Sequence, residues 1–342
     1  MIHLFVKVIL FAILCFGCKK GELPETTQES SPGFSPSSPP FTIAPGATYY
    51  KNLPYGSFSE NVFDIFLPSS TLPTALVIQI HGGGFKSGDK ADNYNNSGLQ
   101  NEVNAFLTEN IAFATLNYRL LLDFDEQEGV LKPLYDCKRA LQFIRYYHKS
   151  FNINKAKIAV KGGSAGAGTC LWLGLQNDMA DANASDPVFK ESTRVQAIVA
   201  NNTQASYDLV LWPEDVFAPY QSEGFNFNTM LATTTLETFL QFYGIKDTLE
   251  VHTPKMVTYR SNVNMLNFIT PDDPEIYLAS AGIPFVYPVN KGNLIHHPLH
   301  AFAVMRKAND VGAKCKATIP EMNIDNTSGE TAVNFLIRKL KE

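Results

Sequence analysis

Two apolar runs that each end in a glycine-rich turn constrain the fold of this chain most strongly. Residues 75–80 form a largely aliphatic run that is followed by His81-Gly82-Gly83-Gly84. Residues 157–161 form a second run that is followed by Gly162-Gly163-Ser164-Ala165-Gly166. Aliphatic runs of this length are typical of strands buried on both faces. Such strands belong to a mainly parallel sheet.

The rest of the body supports this prediction. Further strands are predicted at residues 62–67, 111–116, 195–200, 276–279, 285–289 and 316–319, and helices at 134–147, 166–176 and 330–341. Alternating strands and helices indicate an α/β fold whose central sheet is flanked by helices on both faces. Residues 207–270 are less regular and too long for a bare connection, so we predict a helical cap insertion there. We expect one domain over residues 47–342.

Composition narrows the function. The 342 residues are 45% hydrophobic, which is ample for a globular core. A formal net charge of -5 without long charged runs argues against a nucleic-acid partner. Cys137, Cys170 and Cys315 are widely spaced and odd in number, so we expect buried free thiols, and no metal-ligand spacing is present.

The N-terminus has the pattern of an export signal. One lysine precedes a short apolar run over residues 8–16, which is too short to span a bilayer but suits a signal peptide over residues 1–17. Gly17 directly before Cys18 resembles a lipoprotein cleavage box, so we predict that Cys18 is lipidated and anchors the chain to a membrane, facing the periplasm or the cell surface. Residues 18–46 are rich in proline and serine and are predicted to form a disordered tether. A plain secretory signal or an uncleaved anchor is the alternative.

Ser164 stands at the centre of the second glycine-rich turn. In a strand–Gly-x-Ser-x-Gly–helix arrangement, glycines at positions 162 and 166 allow the sharp bend that presents a serine hydroxyl at the carboxyl edge of the sheet. A serine becomes a nucleophile when a base takes its proton and when donors stabilise the resulting oxyanion. We therefore predict that Ser164 is a catalytic nucleophile.

The first glycine-rich turn predicts the oxyanion hole. Without side chains, Gly83 and Gly84 can aim backbone N–H groups at a substrate oxygen, joined by the N–H of Ala165. Gly82 and His81 are interpreted as structural parts of this loop, and Phe85 as a wall of an acyl pocket. A phosphate-binding loop is the alternative, but the Walker and dinucleotide-binding patterns are both missing.

Together these residues resemble the α/β-hydrolase superfamily, and within it the esterases related to hormone-sensitive lipase and bacterial carboxylesterases. The resemblance rests on Tyr55-Gly56, Asp64, His81-Gly82-Gly83-Gly84, Asn117-Tyr118-Arg119-Leu120, Asp136, Arg139-Ala140-Leu141 and the turn 162–166. It covers about residues 50–200 and weakens after that. It implies the α/β-hydrolase fold, hydrolysis of carboxylic esters without a cofactor, and the oxyanion roles given above.

The second half of the expected catalytic triad departs from this pattern. In the superfamily an aspartate or glutamate and then a histidine follow the serine, after late strands of the sheet. After residues 285–289 this chain has Asn290 and Asn293, and after the last strand there is no histidine. Asp272 and Asp273 precede a strand, so their expected role is to cap a turn.

His296 or His297 is the candidate substitute base. Their loop is predicted to lie on the same edge of the sheet as Ser164, and Pro298 can start a helix behind them. The alternative is that this His-His-Pro corner only packs and forms hydrogen bonds. His252 is a weaker candidate for the base, and His148 and His300 resemble ordinary helix residues.

The sequence thus predicts an exported carboxylic-ester hydrolase with Ser164 as nucleophile and a displaced or impaired base. Its substrate would be an ester on a small molecule or on a polymer. The alternative is a non-catalytic lipoprotein that retains the cleft to bind a glycan or an ester-bearing ligand. Contact between a histidine and Ser164 would distinguish the two, because general-base catalysis needs a hydrogen bond of about 3 Å.

Overall fold

The computed structural model describes residues 33–123 and 126–342, and its folded unit starts at Phe34. The predicted signal peptide, Cys18 and the first part of the tether lie outside the described residues. Residues 33–46 contain no helix or strand, but Phe34 stacks on Phe151 with ring centroids 5.4 Å apart, and Phe41 stacks on Phe66 at 5.3 Å. The folded body therefore begins about a dozen residues before the predicted boundary at residue 47.

The described residues form a single nine-stranded sheet. Its strands are β1 (Thr48–Pro54), β2 (Val62–Leu67), β3 (Thr74–Ile80), β4 (Ile111–Leu116), β5 (Ile153–Gly163), β6 (Ala197–Asn201), β7 (Glu275–Ala279), β8 (Cys315–Ile319) and β9 (Ile324–Asp325). They are ordered β1-β2-β4-β3-β5-β6-β7-β8-β9 across the sheet. The six strands β3 to β8 are mutually parallel, whereas β1, β2 and β9 pair antiparallel at the two edges.

Helices cover both faces of this sheet, as predicted. They are α1 (Ser97–Thr108), α2 (Leu131–Tyr146), α3 (Ala165–Leu175), α4 (Trp212–Asp215), α5 (Phe227–Thr234), α6 (Leu236–Tyr243), α7 (Pro254–Asn262), α8 (Lys291–Ile295), α9 (Pro298–Val311) and α10 (Ala332–Lys341). Successive side chains of a strand point to opposite faces. In β3, Leu76 and Ile78 accordingly join the core shared with α2, α3 and α9, while Val77 joins the core shared with α1 and α10.

The connection between β6 and β7 is the predicted cap insertion. It contains α4 to α7 and four short 3-10 turns, at residues 209–211, 218–223, 248–252 and 265–267. Aromatic side chains such as Trp212, Phe239 and Tyr243 are buried in it and are continuous with the core beneath. The cap thus packs on the carboxyl edge of the sheet, where the site lies.

One predicted strand is wrong. Residues 285–289 lie in an irregular loop between β7 and α8. Phe285, Val286 and Val289 are 41%, 52% and 77% exposed, so the apolar run does not enter the sheet. Asp273 lies before β7, where it accepts a hydrogen bond from the Thr270 N–H, which agrees with the predicted capping of a turn.

The remaining observations on the body concern cysteines, metals and membranes. Cys137 and Cys170 are buried free thiols, while Cys315 is free but partly exposed rather than buried. In the described ranges, no three His, Cys, Asp or Glu side chains are grouped so that they could hold a metal ion. No helix in those ranges has the length and the apolar character that crossing a bilayer requires.

Candidate active site

The site begins where two neighbouring parallel strands end. β3 and β5 pair in register, with Ile80 opposite Gly162. The glycine loop after β3 and the serine turn after β5 therefore leave the sheet side by side at its carboxyl edge. In open α/β sheets this edge is where ligands bind.

The turn at Ser164 is sharp, and its glycines are required by close contacts. Ser164 has φ 53° and ψ −124°, a strained conformation between β5 and α3. A Cβ atom on Gly166 would lie 2.1 Å from the carbonyl oxygen of Ile80, and one on Gly162 would lie 2.4 Å from the carbonyl carbon of Gly166. The bend is possible because both positions lack side chains.

The glycine loop lies directly against this turn. A Cβ atom on Gly82 would be 2.8 Å from the Gly163 carbonyl oxygen and 3.3 Å from the Ser164 Cβ. The hydroxyl of Tyr118 donates to the carbonyl oxygens of His81 (2.9 Å) and Gly82 (3.0 Å), and its ring stacks on the His81 imidazole at 4.2 Å. His81 therefore belongs to the support of the loop, as interpreted from the sequence.

Gly84 and Ala165 both line the cavity that contains Ser164. Among the described residues, their N–H groups donate to no other protein group. Gly83 has φ 95°, and its carbonyl oxygen accepts from Lys86 and Ser87 in a tight turn. The N–H of Ala165 is also one of the unpaired donors at the start of α3.

His296 contacts the serine. Its Nε2 lies 2.7 Å from the Ser164 Oγ, although 132 residues separate the two in sequence. His296 follows the last residue of α8, and its own N–H donates to the Gly292 carbonyl. For Nε2 to accept the hydroxyl proton, the neutral ring must carry its proton on Nδ1.

The other histidines of this corner are structural. The Nδ1 of His297 accepts from the Leu299 N–H at the start of α9, and its Nε2 donates to the Val286 carbonyl at 3.0 Å. The Nδ1 of His300 accepts from the Ala205 N–H and its Nε2 donates to the Leu294 carbonyl. Burial lowers the pKa of His300 to about 3, so it remains neutral.

Gln204, in the connection after β6, fixes the backbone beside His296. Its side chain is buried and donates to the Ile295 carbonyl at 2.7 Å. The next residue, Ala205, is tied to His300 by the bond described above. These two contacts hold the corner between α8 and α9 on either side of His296, and so they restrict where the His296 ring can lie.

No carboxylate takes the place of a triad acid beside His296. Within the described part of the chain, no Asp or Glu forms a hydrogen bond or an ion pair with its ring. Burial lowers the pKa of His296 below the ordinary value of 6.5, and no nearby negative charge opposes this shift. The site therefore favours neutral imidazole and stabilises imidazolium poorly.

The places where the superfamily has its acid and histidine hold other contacts. After β7, the Gly282 N–H donates to the Glu321 carboxylate, which follows β8, at 2.6 Å. The Ala281 N–H donates to the Asn202 side chain, which follows β6, at 3.0 Å. The Asn290 side chain caps α8 by accepting from the Asn293 N–H. Side chains at these positions tie loops together.

A cavity of about 80 Å³ extends from Ser164 beneath the cap. Its lining is largely apolar, and it comprises Gly84, Phe85, Ser164, Ala165, Gln204, Tyr207, Leu209, Trp212, Thr234, Thr238, Phe242, Lys291 and Ile295. Phe85 lies here, as predicted, with its ring edge against Tyr207. The Tyr207 hydroxyl donates to the Ala165 carbonyl at 2.6 Å and so connects the cap to the start of α3.

Sequence reasoning missed the cap residues of this cavity and Gln204. Tyr207, Trp212 and Phe242 belong to a segment without a recognisable motif. The contact of Tyr118 with the glycine loop was not predicted, since the resemblance singled out Tyr118 without giving it a partner. No local pattern indicates that Gln204 would reach the backbone of α8.

The sheet order, the serine turn and the glycine loop define an α/β-hydrolase. The chain belongs to the BD-FAE family, an α/β-hydrolase-type family whose model matches residues 63–300. A sequence comparison with curated proteins finds no match. The family and the esterases described next support a hydrolase of the esterase type.

Solved structures share the fold at low sequence identity. A truncated carbohydrate esterase from gut microbiota has a TM-score of 0.60 at 17% identity, over 90% of this chain and 99% of that one. A bifunctional GH43-CE protein of Bacteroides eggerthii has a TM-score of 0.57 at 15% identity, over 85% of this chain and 38% of that one. Esterase B from Lactobacillus rhamnosis has a TM-score of 0.53 at 14% identity, over 81% of this chain and 75% of that one.

Proposed function

We propose that this protein is a serine carboxylic-ester hydrolase that works with a Ser164–His296 dyad and without a triad acid. The observation that carries the proposal is the 2.7 Å contact between the Ser164 Oγ and the His296 Nε2. The adjacent cavity, with the N–H groups of Gly84 and Ala165 on its wall, supports it. Gly83, which precedes Gly84 in the same loop, is proposed as a further donor.

The geometry supports acyl transfer in two steps. His296 Nε2 takes the hydroxyl proton while the Ser164 Oγ attacks the ester carbonyl carbon, and the oxyanion forms against the N–H groups. Imidazolium then returns the proton to the departing alcohol, which leaves an acyl-serine. Water, deprotonated by the same nitrogen, attacks the acyl-serine and releases the carboxylic acid and the serine.

The missing acid sets the expected rate. In a Ser-His-Asp hydrolase the carboxylate holds the histidine tautomer and stabilises imidazolium. Here Gln204 and the α8–α9 corner hold the backbone of His296, but no carboxylate of the described residues stabilises the charge. We therefore expect slow turnover compared with a complete triad.

The substrate is proposed to be an ester on a carbohydrate or another polymer. The carbohydrate esterase and the GH43-CE protein named above share the fold, which supports this choice. We also propose that the chain is exported and anchored to a membrane by a lipid on Cys18, facing the periplasm or the cell surface. The apolar run and Gly17-Cys18 in the sequence support this.

A second candidate function is a non-catalytic module that binds an ester-bearing ligand or glycan in the same cleft. The absence of a carboxylate at His296 among the described residues favours it. A fluorophosphonate probe distinguishes the two functions, because it phosphonylates a serine only if the hydroxyl is activated. We expect mass spectrometry to locate the label on the peptide that contains Ser164, together with hydrolysis of p-nitrophenyl acetate. An unlabelled Ser164 and no ester hydrolysis would favour the binding module.

The acid limb of the pH profile should lie below pH 6.5. The base acts as neutral imidazole, and burial lowers the pKa of His296, so the neutral form persists to a lower pH than for an ordinary histidine. The measurement is kcat/KM for a neutral ester between pH 4 and 8, because this quantity reports the free enzyme. A limb at or above pH 6.5 would contradict a buried, unpaired base.

A further inference from the structure

One lysine lines the Ser164 cavity, and a second lies close enough to it for their charges to interact. Lys291, the first residue of α8, lines the cavity itself. Lys86 follows the glycine loop, and its Nζ donates to the Gln241 side chain of α6 at 2.5 Å. The glycine loop, the cap helix α6 and α8, which follows β7, thus bring the two ammonium groups near each other.

Among the described residues, these two lysines have little neutralisation by acidic side chains. Lys291 forms no ion pair within residues 33–123 and 126–342, and it is exposed. Partial burial and the charge of Lys291 both lower the pKa of Lys86, while Glu237 on α6 opposes this shift. Glu237 is exposed, and among the described residues it is the acidic group whose charge raises the pKa of Lys86. Within residues 33–123 and 126–342, two cations and one carboxylate thus interact here, which leaves an excess of one positive charge.

Lys291 is close enough to the serine to act on a substrate. Lys291 and His296 lie at the two ends of α8, which rises about 7.5 Å over five residues. An anionic group several bonds from the reacting carbonyl would therefore reach Lys291 while the carbonyl meets Ser164. The inner cavity is apolar and offers no competing cation, because Lys291 is its sole charged lining residue among those described.

We propose that Lys291 and Lys86 form an anion subsite, and that the preferred substrate is an ester that carries a carboxylate. This deepens the proposed hydrolase function and depends on it. The carboxylate can belong to the alcohol, as in an acetylated acidic sugar, or to the acyl group, as in a monoester of a dicarboxylic acid. In both cases two charge-assisted hydrogen bonds hold the carboxylate at this subsite.

The test compares matched esters in two arms. For the alcohol side, 4-acetoxybenzoate is compared with 4-acetoxybenzamide. For the acyl side, 4-nitrophenyl hydrogen glutarate is compared with methyl 4-nitrophenyl glutarate by release of nitrophenol. In each arm the ratio of kcat/KM for the anionic ester to that for the neutral ester is measured in wild type and in Lys291→Gln and Lys291→Glu. Comparing variants cancels the intrinsic reactivity of the esters.

We expect the ratio to fall about 5-fold in Lys291→Gln in one of the arms, and further in Lys291→Glu. The arm that responds identifies the side that carries the carboxylate. High salt should reduce the wild-type preference, since Lys291 is exposed. Lys255→Glu is the matched control: Lys255 is also exposed in the first turn of a cap helix but does not line the cavity.

The outcomes distinguish a failure of the anion subsite from a failure of the proposed hydrolase function. If the neutral esters are hydrolysed and Lys291→Glu leaves both ratios unchanged, the anion subsite is wrong and the hydrolase stands. If no ester is hydrolysed, the proposed function fails. Calorimetry with the stable analogue 4-acetamidobenzoate then decides on the subsite: binding that is lost in Lys291→Glu supports it, and absent or unchanged binding overturns it.

Discussion

Replacing Ser164 with alanine is expected to lower kcat for p-nitrophenyl acetate by about 10²-fold. In a complete triad, loss of the serine or the histidine costs about 2 × 10⁶ in kcat and loss of the aspartate about 3 × 10⁴. The quotient, about 10², is the factor in kcat that a serine and a histidine still contribute when the acid is missing. Steady-state kinetics on purified wild type and Ser164→Ala measure it.

The size of the Ser164→Ala effect carries information about the base. A loss near 10⁶ would show that another group supplies the missing charge stabilisation, and would contradict a bare dyad. Hydrolysis that is unchanged in Ser164→Ala would place the activity outside this site. The thermal unfolding midpoint of both proteins should be measured in parallel, because Ser164 has a strained backbone at φ 53° and a change in stability would also lower activity.

Replacing His296 with alanine should reduce kcat to the level of Ser164→Ala. The imidazole Nε2 is the sole base in contact with the Ser164 Oγ among the described residues, so its removal leaves the hydroxyl unactivated. Oxyanion stabilisation and substrate binding remain, and KM should change much less than kcat. The measurement is kcat and KM for the same ester.

The double variant Ser164→Ala/His296→Ala tests whether the two residues act as one unit. We expect no loss beyond that of either single variant, because groups that act together are strongly non-additive. His252→Ala provides the control, since His252 is exposed in the cap and contacts neither the serine nor the cavity. Multiplicative losses in the double variant would argue against a shared proton transfer.

A displaced base has a structural consequence. His296 reaches the serine from the α8–α9 corner, which is held by Gln204 and Ala205 from the connection after β6. The same corner carries Lys291 at the start of α8. The α8–α9 corner therefore supplies both the proposed base and a proposed substrate contact. The loops after β7 and β8 are instead joined to each other by the hydrogen bond between Gly282 and Glu321.

The serine turn and the glycine loop could be predicted from the sequence because both are local. At the serine turn, a buried strand, the glycines that permit the bend and the start of a helix follow one another directly, and at the glycine loop a buried strand is followed directly by His81 and three glycines. The neighbouring exit of the two segments follows from the pairing of β3 and β5. The strand pattern indicated a mainly parallel sheet but not which strands are neighbours.

The failure at residues 285–289 shows the limit of such patterns. Phe285, Val286 and Val289 form an apolar run that favours a strand, yet these side chains are exposed in a loop. A strand needs a free partner edge, and the described sheet already continues from β7 directly to β8. Apolar content alone does not show whether an edge is available.

The sequence by itself determined the α/β class, the nucleophile candidate and the oxyanion loop, because bends and buried strands depend on neighbours along the chain. It restricted the base to His296 or His297 but did not choose between them. Tertiary structure distinguishes them by orientation: the His296 ring contacts the Ser164 Oγ, which favours it as the base, and the His297 ring donates to the Val286 carbonyl. Contacts 91 and 132 residues apart set this orientation, and no local pattern of residues encodes contacts over such separations.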